Sequence, residues 1–161
     1  MTDPIKILIA DDKQDICESL KLNLLIEIQK FNLSEDSIDV KMVFTDHAYD
    51  HGCKLLTEKG FHPDICIFDL VFNGYTGVDL YKYILHEFPN KKIDLCIYTG
   101  VEKTYEKRKE ADILASQTQG LITIITKPNI NDVLHWFNDI LIKKYRFKTI
   151  VEDGGDPFDL L

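Results

Sequence analysis

Four apolar runs in this chain each stop at a polar residue: IKILIA at Asp11 and Asp12, DICIFD at Asp69, IDLCIYT at Thr99, and LITIITK at Lys127. Strands of a parallel sheet are covered on both faces, so they read as continuous apolar runs and not as alternating ones. A buried helix segment has a similar look, but the short length and Ile richness of these runs favour strand. Parallel strands would put all the terminating side chains on one edge. In open α/β sheets ligands bind in the crevice beyond the carboxyl ends of the strands, so the pattern predicts both a fold and the location of a site.

The intervening segments supply helices. Asp15 is placed to cap a helix in which Ile16, Leu20, Leu24 and Ile28 recur every four residues, with Leu25 widening the stripe. Residues 38–44 alternate in the manner of a half-exposed edge strand. A second helix is predicted over 48–59, with Leu55 and Leu56 inward and Gly60 as its stop. The loop LVFNGYTG carries Gly74 and Gly77, suited to a tight path, and a third helix follows over 78–88 before Pro89. Residues 102–117 hold few apolar side chains and predict a loosely packed, mostly wet helix. Asn129 or Asn131 is placed to cap the last helix, whose inner stripe is Val133, Leu134, Phe137, Ile140 and Leu141.

At 161 residues and 45% hydrophobic content the chain supports one core. The expected division is a domain over residues 1–146 and an acidic, flexible tail over 147–161. A formal charge of −8 argues against a nucleic-acid surface, which needs clustered cations. No apolar run approaches the length of a membrane span and no leader pattern precedes Ile5, so a cytoplasmic protein without membrane contact is expected. Cys17, Cys53, Cys66 and Cys96 lack CxxC or zinc-ligand spacing and read as reduced, structural residues. His47 and His51 have a metal-binding spacing, but no third ligand is evident nearby.

Singly, the site candidates have plain explanations. Asp11 and Asp12 suit a helix entry, Lys127 a surface position and Thr99 a turn. Together they describe a chemistry. Asp11, Asp12 and Asp69 brought into one small space would repel one another and raise their pKa values unless a cation compensated. Magnesium prefers oxygen ligands and is commonly held by one or two carboxylates plus a substrate phosphate. Lys127 as a point charge and Thr99 as a hydroxyl donor would complete a phosphate cradle. Asp69 would then attack phosphorus and form an acyl phosphate.

With these residues in view, the stretch from Ile5 to Lys144 resembles the receiver domain of two-component response regulators, of the stand-alone type. The acidic pair Asp11 and Asp12, the strand-end Asp69, Gly77 eight positions later, Thr99, and the Lys127-Pro128 pair stand in that family's order and spacing. The resemblance implies a single α/β domain with a flavodoxin-like, doubly wound, five-stranded parallel sheet in the order 2-1-3-4-5. It implies a phosphoacceptor signalling protein and not an enzyme in the usual sense. Asp69 would take a phosphoryl group from a histidine kinase or histidine phosphotransfer protein, assisted by Thr99 and Lys127. Magnesium would be held by Asp11, Asp12, Asp69 and the Val71 carbonyl, the Lys127-Pro128 peptide would be cis, and the output would be an altered binding surface for an unidentified protein target.

Three features depart from that family's pattern. Ile124 stands where many members carry an aromatic switch residue, the stretch between Thr99 and Lys127 is long, and LVFNGYTG lacks the proline common after the phosphoacceptor strand. Ile124, the long fourth helix and the apolar-tipped tail motivate an alternative, a receiver-like scaffold that binds its partner without phosphorylation. FDLVFNG also resembles the nucleophile strand of haloacid-dehalogenase-like phosphatases, but that chemistry needs a second acid two residues on, and Val71 stands there. The apolar Val71 offers no side chain to hold an attacking water, which predicts a long-lived phosphoryl state.

Overall fold

A computed structural model describes residues 3–102 and 105–149. Five strands alternate with five helices: β1 (Ile5–Ala10), α1 (Gln14–Ile28), β2 (Ile38–Val43), α2 (Ala48–Thr57), β3 (Ile65–Phe68), α3 (Gly77–Glu87), β4 (Asp94–Thr99), α4 (Glu106–Gln117), β5 (Ile122–Thr126) and α5 (Ile130–Lys143). The strands form one parallel sheet in the order β2-β1-β3-β4-β5, as the resemblance implies.

Alternation along each strand divides the core into two layers. Ile5, Ile7, Ile9, Ile65, Ile67, Cys96, Tyr98 and Ile125 face α1 and α5, where they meet Leu20, Leu24, Ile28, Val133, Phe137 and Leu141. Leu8, Ala10, Cys66, Phe68, Leu95, Ile97 and Ile122 face the opposite layer with Leu56, Leu80, Tyr81, Ile84 and Ala111. Each large aliphatic buried this way contributes about 1.5–3 kcal/mol, so the sheet is a rigid frame for whatever its edge carries. The outer strand β2 is only partly covered, consistent with its alternating sequence.

Helix ends differ from expectation in instructive ways. Asp15 does not cap α1: Lys13 occupies the cap position without a side-chain bond, and Asp15 sits in the first turn, where its charge suits the helix dipole. The turn is instead fixed by Asp11, whose Oδ1 accepts the Lys13 N–H at 2.9 Å. Helix α2 ends at Thr57, with Gly60 beyond it at φ +65°. Its inner face is Ala48, Gly52 and Leu56, small residues that let α2 approach Leu80 of α3, while Leu55 is only partly buried.

Helix α3 begins at Gly77, held by a capping box in which Thr76 accepts from the Asp79 N–H and Asp79 accepts from the Thr76 N–H. Neither asparagine caps α5 through its side chain: Asn129 has the cap position but no such bond, and Asn131 lies inside the helix. Helix α4 starts at Glu106, four residues later than predicted, and it is not uniformly wet, because Arg108 and Ala111 are buried. After α5, Tyr145 and Phe147 stack and pack on the α1/α5 layer, with the Phe147 N–H bonded to the Leu141 carbonyl at 3.0 Å. Ordered packing thus reaches past residue 146, and residues 150–161 of the expected tail lie outside the described residues. No helix among the described residues is long and apolar enough to cross a membrane.

Candidate functional site

The strand order places β1 and β3 side by side with their crossovers departing in opposite directions, which opens a crevice at their carboxyl ends. Pairing of Ala10 with Phe68 sets Asp11 next to Asp69, and the Asp69 N–H donates to the Ala10 carbonyl at 2.8 Å. On the other side, Thr99 pairs with Thr126 at the ends of β4 and β5, and the Lys127 N–H donates to the Thr99 carbonyl at 2.8 Å. Backbone pairing alone therefore brings Asp11, Asp69, Thr99 and Lys127 to one rim.

Asp11 is 2% exposed and fully engaged, its Oδ1 on the Lys13 N–H and its Oδ2 accepting from the Lys127 ammonium at 2.7 Å. Asp69 directs Oδ1 at the Leu70 N–H, 2.7 Å away, and leaves Oδ2 facing Lys127 at 3.6 Å. Asp12 lies at the solvent side, and one oxygen from each of the three carboxylates falls within 4.8 Å of the other two. Desolvation, then a hydrogen bond and the charge of Asp11, push the Asp12 carboxyl above its ordinary value. Burial by itself would lower the Lys127 ammonium, but Asp11 and Asp69 outweigh it and hold the group above its usual value. Lys127 also rests over the Tyr98 ring, 5.7 Å from its centroid. The Lys127-Pro128 peptide is cis, as expected.

Thr99 is completely buried, and its Oγ1 accepts the Val101 N–H at 3.1 Å, so its own O–H remains a donor. The segment after Asp69 folds into a tight loop in which Val71 bridges to Thr76, the Phe72 N–H donates to the Tyr75 carbonyl at 2.7 Å, and Gly74 takes φ +81°. Val71 thus stands at the base of the loop, two residues beyond Asp69. Gly77 closes it for a steric reason: any Cβ there would overlap the Asp69 carbonyl oxygen and lie 3.0 Å from Phe68 Cβ. Tyr75 stacks on Tyr49 with ring centroids 4.1 Å apart, tying the loop to α2.

The side chains of Asp11, Asp12, Asp69 and Lys127 converge, and Thr99 is brought beside Lys127 through its backbone. The donor set also fits a hard divalent cation: three carboxylates offset by one ammonium leave two negative charges, presented entirely by oxygen. His47 and His51 do not form a second centre, since His51 Nδ1 is hydrogen-bonded to Thr45 Oγ1 and the acidic trio is the only candidate metal cluster among the described residues. The four cysteines are free, and burial pushes the Cys17 thiol up to about 12, which leaves it inert beside the site.

The sequence reading missed Tyr98, Arg108 and the Thr76–Asp79 box. The last was visible as Ser/Thr-x-x-Asp/Glu ahead of an apolar helix. Tyr98 reads as one more apolar position of IDLCIYT, and nothing in the local pattern distinguishes Arg108 from the charged residues around it.

No protein-family model and no curated protein sequence matches the chain. Solved structures do. A response regulator receiver domain protein from Clostridium thermocellum is 22% identical, with a TM-score of 0.61 over 88% of this chain and 97% of that one. A CheY-like receiver domain protein from Methanospirillum hungatei JF-1 is 18% identical, with a TM-score of 0.59 over 89% and 98%. A response regulator protein from Thermotoga maritima, in complex with Mg2+ and BeF, is 17% identical, with a TM-score of 0.56 over 84% and 98%. The chain has the receiver fold, single-domain and flavodoxin-like.

Proposed function

We propose that this protein accepts a phosphoryl group on Asp69 as a two-component signalling receiver, with a histidine kinase or histidine phosphotransfer protein as donor. The observation that carries the reading is the Lys127 ammonium set between Asp11 and Asp69 at a rim that also presents Thr99. Structural cation pairs need no fourth strand end with a buried hydroxyl, whereas a phosphoryl group needs all of these.

Asp69 Oδ2 is the attacking atom, because Oδ1 is fixed by the Leu70 N–H. Its electron pair forms the new O–P bond while the P–N bond to the donor imidazole breaks. The bonding pair leaves on nitrogen, so no co-reactant is required. Lys127, already 3.6 Å from Oδ2, meets one phosphoryl oxygen, and the Thr99 O–H donates to another. Asp11, Asp12, Asp69 and the Val71 carbonyl would hold magnesium, which when bound supplies positive charge to the phosphoryl oxygens. The protein's contribution is positioning and charge, and its product is a modified surface and not a released compound. Four free thiols suit a cytoplasmic setting.

The test is direct. Acetyl phosphate with magnesium should add one phosphoryl group by intact mass, acetate leaving from the broken P–O bond, and Asp69→Asn should remove the gain. A wild-type protein that stays unmodified under these conditions overturns the proposal. Equal partner affinity for wild type, Asp69→Asn and phosphorylated protein would favour the phosphorylation-independent scaffold instead.

A further inference from the structure

Arg108 is the one buried cation among the described residues. It lies in the first turn of α4, where the helix dipole disfavours a cation, yet it is 3% exposed. Its nearest acid, Asp112, is half exposed and stands 3.7 Å from Nε. Among the described residues Nε has no hydrogen-bond acceptor. A buried cation so weakly paired costs stability, and such violations of local rules concentrate where a residue does a job.

The remaining nitrogens show which job. One terminal nitrogen donates to the Val101 carbonyl at 3.0 Å and the other to Thr126 Oγ1 at 3.4 Å. Val101 donates through its N–H to Thr99 Oγ1, and Thr126 immediately precedes Lys127, whose N–H holds the Thr99 carbonyl. The guanidinium therefore closes a ring of contacts through Thr99, Val101, Thr126 and Lys127. These are also the only side-chain hydrogen bonds from α4 to the sheet and its loops among the described residues. Ile124, on the same side of β5, packs against the α4 layer with no polar atom to offer.

We infer that Arg108 is a positioning residue that links the Thr99 and Lys127 corner to α4, so that engagement of the site is transmitted to that helix. The inference rests on the phosphoacceptor reading for its trigger. The Thr99 hydroxyl that would donate to a phosphoryl oxygen also accepts the Val101 N–H, so any displacement of Oγ1 on engagement shifts the Val101 backbone, and the Val101 carbonyl is one of the two anchors of Arg108. Movement of that anchor reaches α4 through a rigid fork, and the unfilled Nε–H provides a bond for the second arrangement.

Hydrogen exchange of the α4 amides, measured on the full chain before and after phosphorylation with acetyl phosphate and magnesium, tests this. Wild type should change α4 exchange by about fivefold or more on phosphorylation, the usual scale of coupling between sites. Arg108→Met should still gain the phosphoryl group by intact mass while its α4 exchange no longer responds, and Arg108→Lys should restore part of the response. A merely structural role would shift the resting exchange of Arg108→Met and leave the response intact; that result overturns the inference. So does a phosphorylated wild type whose α4 does not respond. Failure of wild type to gain mass would instead sink the phosphoacceptor reading. The clamp is then judged by melting temperatures of Arg108→Met, Thr126→Val and the double variant: additive losses overturn it, and sub-additive losses support it.

Discussion

Lys127 and Asp11, separated by 116 positions in sequence, share a 2.7 Å hydrogen bond, and each is the other's main compensation for being withdrawn from water. Lys127→Met leaves the Asp11 carboxylate buried with only the Lys13 N–H. Without divalent cation this variant should lose about 3 kcal/mol in urea unfolding. Adding Asp11→Asn should recover much of that loss, and a double variant as unstable as the sum of the singles would contradict the pairing.

The acidic trio makes stability depend on pH and on cations. A folded-state pKa raised at Asp12 means that the folded protein binds that proton more tightly than the unfolded chain. The stabilisation is present below the ordinary value of 3.8 and is lost as pH rises through the folded value, so at neutral pH the charged Asp12 opposes folding. Magnesium should raise Tm at pH 7, its stabilisation growing by about 1.4 kcal/mol for each tenfold excess of free ion over Kd, and Asp12→Asn should raise Tm in EDTA. Identical melting of wild type in EDTA and in magnesium would refute this.

Gly77→Ala forces a methyl group into the Asp69 carbonyl. The strain should cost about 1–3 kcal/mol and displace the nucleophile, so phosphorylation by acetyl phosphate should fall as well. Gly100 has open space around an added Cβ and no positive φ, and Gly100→Ala is the control that should keep both properties.

Tyr81 is buried with its O–H on the Ile93 carbonyl at 2.6 Å, and burial pushes its phenol up to about 12. The unfolded chain releases this proton near pH 10 while the folded protein holds it, so its stabilisation is complete below pH 10 and declines toward pH 12. The loss should be on the order of 2 kcal/mol, and Tyr81→Phe should flatten that part of the profile in denaturant titrations.

Phosphorylated Asp69 should lose its label slowly, over hours and not minutes, because Val71 beside it has no group to orient water. Time-resolved intact mass after removal of acetyl phosphate measures this. Val71→Asn should shorten the lifetime.

The sheet was legible because burial on both faces leaves β3 and the middle of β4 without a polar residue, so ICIF and LCIY mark themselves and their first polar neighbour marks the edge. Asp11, Asp69, Thr99 and Lys127 followed from that geometry. Helix starts were less legible. Asp15 has the chemistry of a cap, but the backbone had already turned around Asp11, and Asn129 has the cap position without the bond. Arg108 was opaque because its burial depends on a carbonyl seven residues away and a hydroxyl on β5, neither of which leaves a periodic trace.

Four separate strand ends supply the pocket, the last of them β5 near the close of the fold. A partly assembled molecule lacking β5 would expose acids with no ammonium between them, and nothing anionic would be held there. The charge balance of this rim is therefore a signature of the completed sheet, present only where β5 has joined β4.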